Sequence, residues 1–174
     1  MKAVVVYESI YENTRKIAET VAEGARQEVE VTIHSATEAS PALIADAELL
    51  VVGGPAHMHG MTFSLSRKIA ADAAAKKGDE VSVEAPGLRA WFQELPKATG
   101  VMGAAFDTRL LGSALKTGSA AKGIARRLRT HGYELAAEPE SLLVEDAEGP
   151  LVKGELERAK TWGASLASGV RQSS

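Results

Sequence analysis

Three short segments carry residue types suited to holding an anionic, flat ligand. Ser9-Ile10-Tyr11-Glu12-Asn13-Thr14 sets hydroxyl and amide donors just ahead of a helical pattern. Gly53-Gly54-Pro55-Ala56-His57-Met58-His59-Gly60-Met61 is bounded by glycine and holds two of the chain's 4 histidines. Asp107-Thr108-Arg109-Leu110 offers a carboxylate, a hydroxyl and a guanidinium in succession.

Each segment has two readings. Ser, Asn and Thr before a helix cap its first N–H groups routinely, yet the same N–H groups and the positive end of the helix dipole attract an anion. Glycines at Gly53, Gly54 and Gly60 permit positive φ and close approach of a ligand to the backbone, or simply form a loop. His57-x-His59 is thin as a metal site, since it has neither cysteine nor an acidic cluster beside it.

Several chemistries are excluded. The chain has no cysteine, which removes disulfides, thiolate catalysis and iron–sulfur ligation. The first loop lacks the lysine of a nucleoside-triphosphate loop and the Gly-x-Gly-x-x-Gly dinucleotide fingerprint. Ser9 does not sit in a Gly-x-Ser-x-Gly elbow, and no covalent nucleophile stands out.

The elements that must position these segments follow from hydrophobic patterning. Ala3 to Tyr7 and Leu49 to Val52 are continuous apolar runs, as in strands buried on both faces of a parallel sheet. Val29, Val31 and Ile33 alternate with polar residues, which suits a strand with one wetter face. Val101 to Phe106 reads as a fourth strand, and Tyr133 to Val144 as a fifth, interrupted near Pro139. Helical spacing joins Ile17, Val21 and Ala25; Leu65, Ile69 and Ala73; Leu88, Trp91, Phe92 and Leu95; Ile124 and Leu128; and Leu156, Ala159, Gly163, Leu166 and Val170. Lys76 to Pro86 reads as a surface loop. Trp91 shares the face of Leu88 and Leu95 and is expected in the core. Thr117 to Gly123 reads as a capped helix start, and Arg126, Arg127 and Arg129 as a solvated helix face.

Strands alternating with helices require right-handed crossovers, and hence a doubly wound parallel sheet. The 174 residues, 45% hydrophobic and 25% charged, are read as one domain spanning 1–174. In strand order 2-1-3-4-5 the ligand crevice lies between strands 1 and 3, where the first two segments meet. The balance of 20 basic against 23 acidic residues gives a net charge of −3, a poor basis for gripping nucleic acid. The first apolar run is too short for a signal-peptide core or a membrane span, so a cytoplasmic protein is expected.

Taken together and in register, the Ser-x-x-x-Asn-Thr loop, the Gly-Gly-Pro-x-His loop and the Phe-Asp-Thr-Arg loop resemble those of the flavodoxin family across nearly the whole chain. The resemblance implies a flavodoxin-like five-stranded sheet with helices on both faces, an FMN site, and electron transfer between redox partners. It implies that Ser9, Tyr11, Asn13 and Thr14 hold the FMN phosphate, with backbone N–H groups of the loop that includes Ile10 and Glu12. Pro55, Ala56, His57, Met58, His59 and Gly60 would line the ring edge, and Phe106, Asp107, Thr108 and Arg109 its other side. An FMN-dependent quinone or small-molecule reductase, or a binding module without FMN, are the alternatives on the same fold.

Two features depart from the family pattern. Glu12 stands where such loops usually have glycine. A carboxylate about 6 Å from a phosphate charge costs roughly 3 kcal/mol at an effective dielectric of about 20, unless it points to solvent, where screening removes most of that cost. Asp107 to Gly112 also lacks the aromatic residue that commonly stacks on the flavin.

Overall fold

The apolar stretch Ala3-Val4-Val5-Val6 needs cover on both faces, and all four side chains are buried in β1 (Lys2–Tyr7) of the computed structural model. The structure describes residues 1–57, 60–61, 87–112 and 118–173. After β1 come α1 (Asn13–Ala25), β2 (Glu30–Ser35), α2 (Pro41–Ile44), β3 (Leu49–His57) and β4 (Gly60–Met61). Then follow α3 (Leu88–Glu94), β5 (Met102–Leu110), α4 (Ala120–Thr130), β6 (Glu134–Leu135), β7 (Glu140–Val144) and α5 (Glu155–Ser173).

The sheet runs β2-β1-β3-β5, with β6 and β7 sharing the next position along β5. All these pairs are parallel; β4 alone turns back on β3 in antiparallel fashion. The expected order 2-1-3-4-5 is therefore observed, with the fifth strand broken between Leu135 and Glu140, around Pro139. One face packs Val5, Val51 and Ala104 against Ile17 and Val21 of α1 and Leu166 and Val170 of α5. The other packs Val4, Val6 and Val52 against Trp91 and Phe92 of α3 and Ile124 and Leu128 of α4. Trp91 is core, as expected, and its indole N–H donates to the Ala39 carbonyl at 2.7 Å.

Three differences from the sequence reading have physical causes. The third strand does not stop at Val52 but continues through Gly53-Gly54-Pro55 to His57, because glycine there makes room for packing. A Cβ on Gly53 would lie 1.9 Å from Phe106 Cζ, and one on Gly54 2.7 Å from Leu88 Cδ1. The fourth strand runs on to Leu110, with Asp107 to Leu110 paired to Ser141 to Val144. Leu156, grouped above with the buried face of the last helix, is 46% exposed, while Ala159, Leu166 and Val170 are buried. The short helix α2 was not foreseen. The helix expected around Leu65 to Ala73 and the loop Lys76 to Pro86 lie outside the described residues. No helix among the described residues is long and apolar enough to cross a membrane.

Helices α1 and α5 cross at backbone contact. A Cβ on Gly24 would stand 2.0 Å from the Lys160 carbonyl oxygen, and one on Gly163 2.1 Å from that of Val21. Overpacking of this kind costs about 1–3 kcal/mol. Gly163→Ala is therefore expected to lower the melting temperature by roughly 2–12 °C in a chain of this size. A thermal melt checks it, and an unchanged midpoint would mean that the two helices separate freely.

Candidate functional site

Only five residues, Glu8 to Glu12, carry the chain from the end of β1 to the first turn of α1. The reversal is completed by Glu12, whose φ of 65° and ψ of −16° are left-handed. It is the sole non-glycine residue with positive φ among the described residues. For an L-residue that conformation costs about 1–2 kcal/mol. The side chain turns outward: it is 63% exposed and lies 3.4 Å from Arg15 Nη1, whose Nε in turn reaches Glu19 Oε1 at 3.0 Å. Of the two expectations for this carboxylate, the structure has the solvent-facing one.

The first turn of α1 holds donors without acceptors. The Arg15 N–H donates to Ser9 Oγ at 3.3 Å and the Lys16 N–H to the Glu12 carbonyl at 2.9 Å. Ser9 thus caps the helix, as one of its two readings held. The N–H groups of Asn13 and Thr14, at the first two helical positions, have no intrahelical acceptor. Asn13 is only 7% exposed and its Nδ2 has no hydrogen-bond partner. An unsatisfied buried donor costs about 1–3 kcal/mol, which an anionic oxygen at this turn would recover.

The N-termini of α3, α4 and α5 are already supplied with carboxylates. The Leu88 N–H at the start of α3 donates to Glu8 Oε2 at 3.1 Å, and the Ala121 N–H of α4 to Asp107 Oδ2 at 2.9 Å. The first turn of α5 carries Glu155 and Glu157. That of α1 has no acidic residue, and the Glu12 side chain before it makes no cap hydrogen bond. Of the helices α1, α3, α4 and α5, α1 is the one whose N-terminus has no carboxylate on it.

The β5 segment is placed differently from the sequence expectation of a loop flanking a ring. Phe106 is fully buried, edge-on to Trp162 at 6.2 Å, and so lies inside the core. Asp107 is also fully buried and accepts from Ser119 Oγ and the Ala121 N–H, both at 2.9 Å. Burial pushes its pKa up, against the opposing pull of those bonds, of Ser141 and of Arg109. Thr108 is turned to the α1 side, where its Oγ1 lies 2.7 Å from Thr14 Oγ1. Arg109 folds back on its own chain, donating from Nη1 to the Gly112 carbonyl at 2.6 Å. Strand alternation explains the set: successive residues face opposite layers.

Of the remaining candidates, Ser9, Ile10 and Tyr11 are half-buried in the β1–α1 connection, and Pro55 and Ala56 half-buried at the end of β3. The backbone of His57 pairs with Gly60 in the hairpin of β3 and β4. Met58 and His59 lie outside the described residues. The structure adds a contact that sequence reasoning missed. Gly149, at φ 103°, lies so close to Asn13 that a Cβ there would stand 2.9 Å from Asn13 Oδ1. The Gly149-Pro150 pair after the acidic run Glu145-Asp146 was the available signal.

No family model matches the chain, and no curated protein matches it. Solved structures do. An archaeal flavodoxin aligns at 21% identity and TM-score 0.67, over 98% of this chain and 99% of its own. The flavodiiron core of Flv1 from Synechocystis sp. PCC6803 aligns at 14% and 0.68; this chain is covered completely but spans 37% of that one. A flavodoxin described as WrbA-like, from Agrobacterium tumefaciens, aligns at 25% and 0.58, over 98% of each chain.

Two outcomes follow from the site geometry. Glu12→Gly removes the left-handed penalty but loosens the unfolded chain, so a net gain of about 0.5–1 kcal/mol and a melting point higher by about 1–4 °C are expected. A lower melting point would show that the Glu12–Arg15 pair outweighs the strain. For Asp107, the folded state holds the proton more tightly than the unfolded chain, whose ordinary value is 3.8. Its contribution is therefore most favourable below that value and falls as pH rises through the raised one. Denaturant titrations should show wild type losing stability relative to Asp107→Asn as pH rises above 3.8. A constant gap over that range would mean Asp107 titrates normally.

Proposed function

We propose that this chain, whose fold is that of the flavodoxins, binds FMN at the β1–α1 edge and passes electrons between redox proteins. The observation that carries the reading is the α1 N-terminus: two N–H groups without intrahelical acceptors and the buried Asn13 amide, whose Nδ2 has no partner, follow directly on the end of β1. FMN would supply the redox chemistry, while the protein binds and orients it. Asn13, Thr14 and the backbone of the loop from Ser9 take the phosphate with neutral donors. Glu12 faces solvent beside Arg15, so its charge does not oppose the phosphate. Pro55 to His57, at the end of β3, run along the ring edge. A net charge of −3 favours docking to basic redox partners.

A second reading, an FMN-dependent reductase of a quinone or another small molecule, is favoured by one feature. Residues 107 to 112 include no aromatic side chain to cover the ring, which leaves access for a substrate.

Titration of the purified protein with FMN, followed by flavin fluorescence, tests the main reading. Stoichiometric binding is expected for wild type and for Glu12→Gly, with affinities within about tenfold of each other, because an exposed charge is largely screened. Binding by the glycine variant alone would mean the chain has given up the cofactor. Binding by neither would overturn the site. Rapid NAD(P)H oxidation on adding a quinone to the FMN-loaded protein would favour the reductase.

A further inference from the structure

We infer that Thr108 is a positioning residue for the phosphate end of this site: its hydroxyl donates to Thr14 Oγ1 and so releases the Thr14 proton toward the bound group. The inference rests on the cofactor reading above and assigns a role that the sequence did not suggest, since Thr108 was expected beside the ring.

The two hydroxyls lie 2.7 Å apart, 94 residues distant in sequence. Thr14 is 2% exposed and Thr108 5%, so water competes with neither. Each hydroxyl has one proton and can accept as well. Two arrangements of the pair are therefore available. If Thr14 donates to Thr108, its only proton is spent on β5 and it can offer an anion nothing but lone pairs. If Thr108 donates, Thr14 is polarised by the bond it accepts and its own proton is free. A hydroxyl rotor switches between them, and a phosphate next to Thr14 selects the second.

The surroundings fix where Thr108 stands. It is paired to Pro55 of β3 on one side and Leu142 of β7 on the other, while Thr14 stands at the second position of α1, next to the unpartnered Asn13 amide. The sheet thus holds a hydroxyl in place against a side chain on the helix, and the anion selects the direction of the bond between them. A chain of two hydroxyls ending on a charged oxygen is stronger than its separate bonds.

The test compares FMN with riboflavin, which lacks the phosphate, on wild type, Thr108→Val and Thr108→Ser. Valine keeps the shape of threonine and removes the hydroxyl. Thr108→Val is expected to weaken FMN about two- to tenfold, the range of a hydrogen bond between neutral groups. Riboflavin affinity should stay unchanged, and Thr108→Ser should restore FMN to within a few-fold of wild type. Equal losses for FMN and riboflavin, or an unchanged FMN affinity, would overturn the role of Thr108 while leaving the cofactor site standing. Should the valine variant fail to fold, Thr108→Ala is read by the same comparison. Absence of FMN binding by wild type would overturn the cofactor reading, and the inference with it.

Discussion

The reversal between Tyr7 and Asn13 governs everything at the candidate site. β1 is buried on both faces, so the chain must leave the sheet at once and return along it as a crossover helix. The place of that helix across the sheet face is limited by α5, which touches it at Gly24 and Gly163 with no side chain between. Five residues then have to join a fixed strand end to a fixed helix start. Left-handed geometry at Glu12 closes the gap. The strain is local, and its effect is to present the first N–H groups of α1 at the sheet edge.

Carboxylates determine which helix ends remain receptive. Each peptide dipole column ends in partial positive charge, and a protein anion placed there removes both the field and the free donors. Glu8 does so for α3, and Asp107 for α4. Glu12 sits at the corresponding place on α1, yet its positive φ directs the side chain to Arg15 and solvent. Backbone conformation, rather than residue type, thus decides that a glutamate at the helix end does not neutralise it. Read as composition alone, the same residue argues against anion binding.

The sheet order was legible because buried parallel strands are written as uninterrupted apolar runs, and Ala3 to Tyr7 and Leu49 to Val52 are such runs. Strand ends were not. Gly53-Gly54-Pro55 looks like punctuation, but its glycines answer to Phe106 and Leu88, residues distant in sequence. Asp107-Thr108-Arg109 looks like a polar loop, but the polar atoms of Asp107 and Thr108 are met by α4 and α1. In both cases tertiary packing overrides a local signal, and no window of neighbouring residues contains the partner. The α1 donors were legible as residue types; which of them are already occupied, such as Ser9 by the Arg15 N–H, is a property of the folded chain.

The placement of Asp107 and Thr108 also bears on what the residues of this edge can do. A residue that performs proton transfer must reach its target, and Asp107, the buried carboxyl at this edge, has Oδ2 bonded to Ser119 and Ala121. Thr108 is engaged with Thr14. Asp107 anchors the start of α4 and Thr108 braces the start of α1. Beside them the first turn of α1 presents neutral donors. On a fold that hosts many functions, it is this arrangement of side chains, and not the sheet order, that any functional argument has to start from.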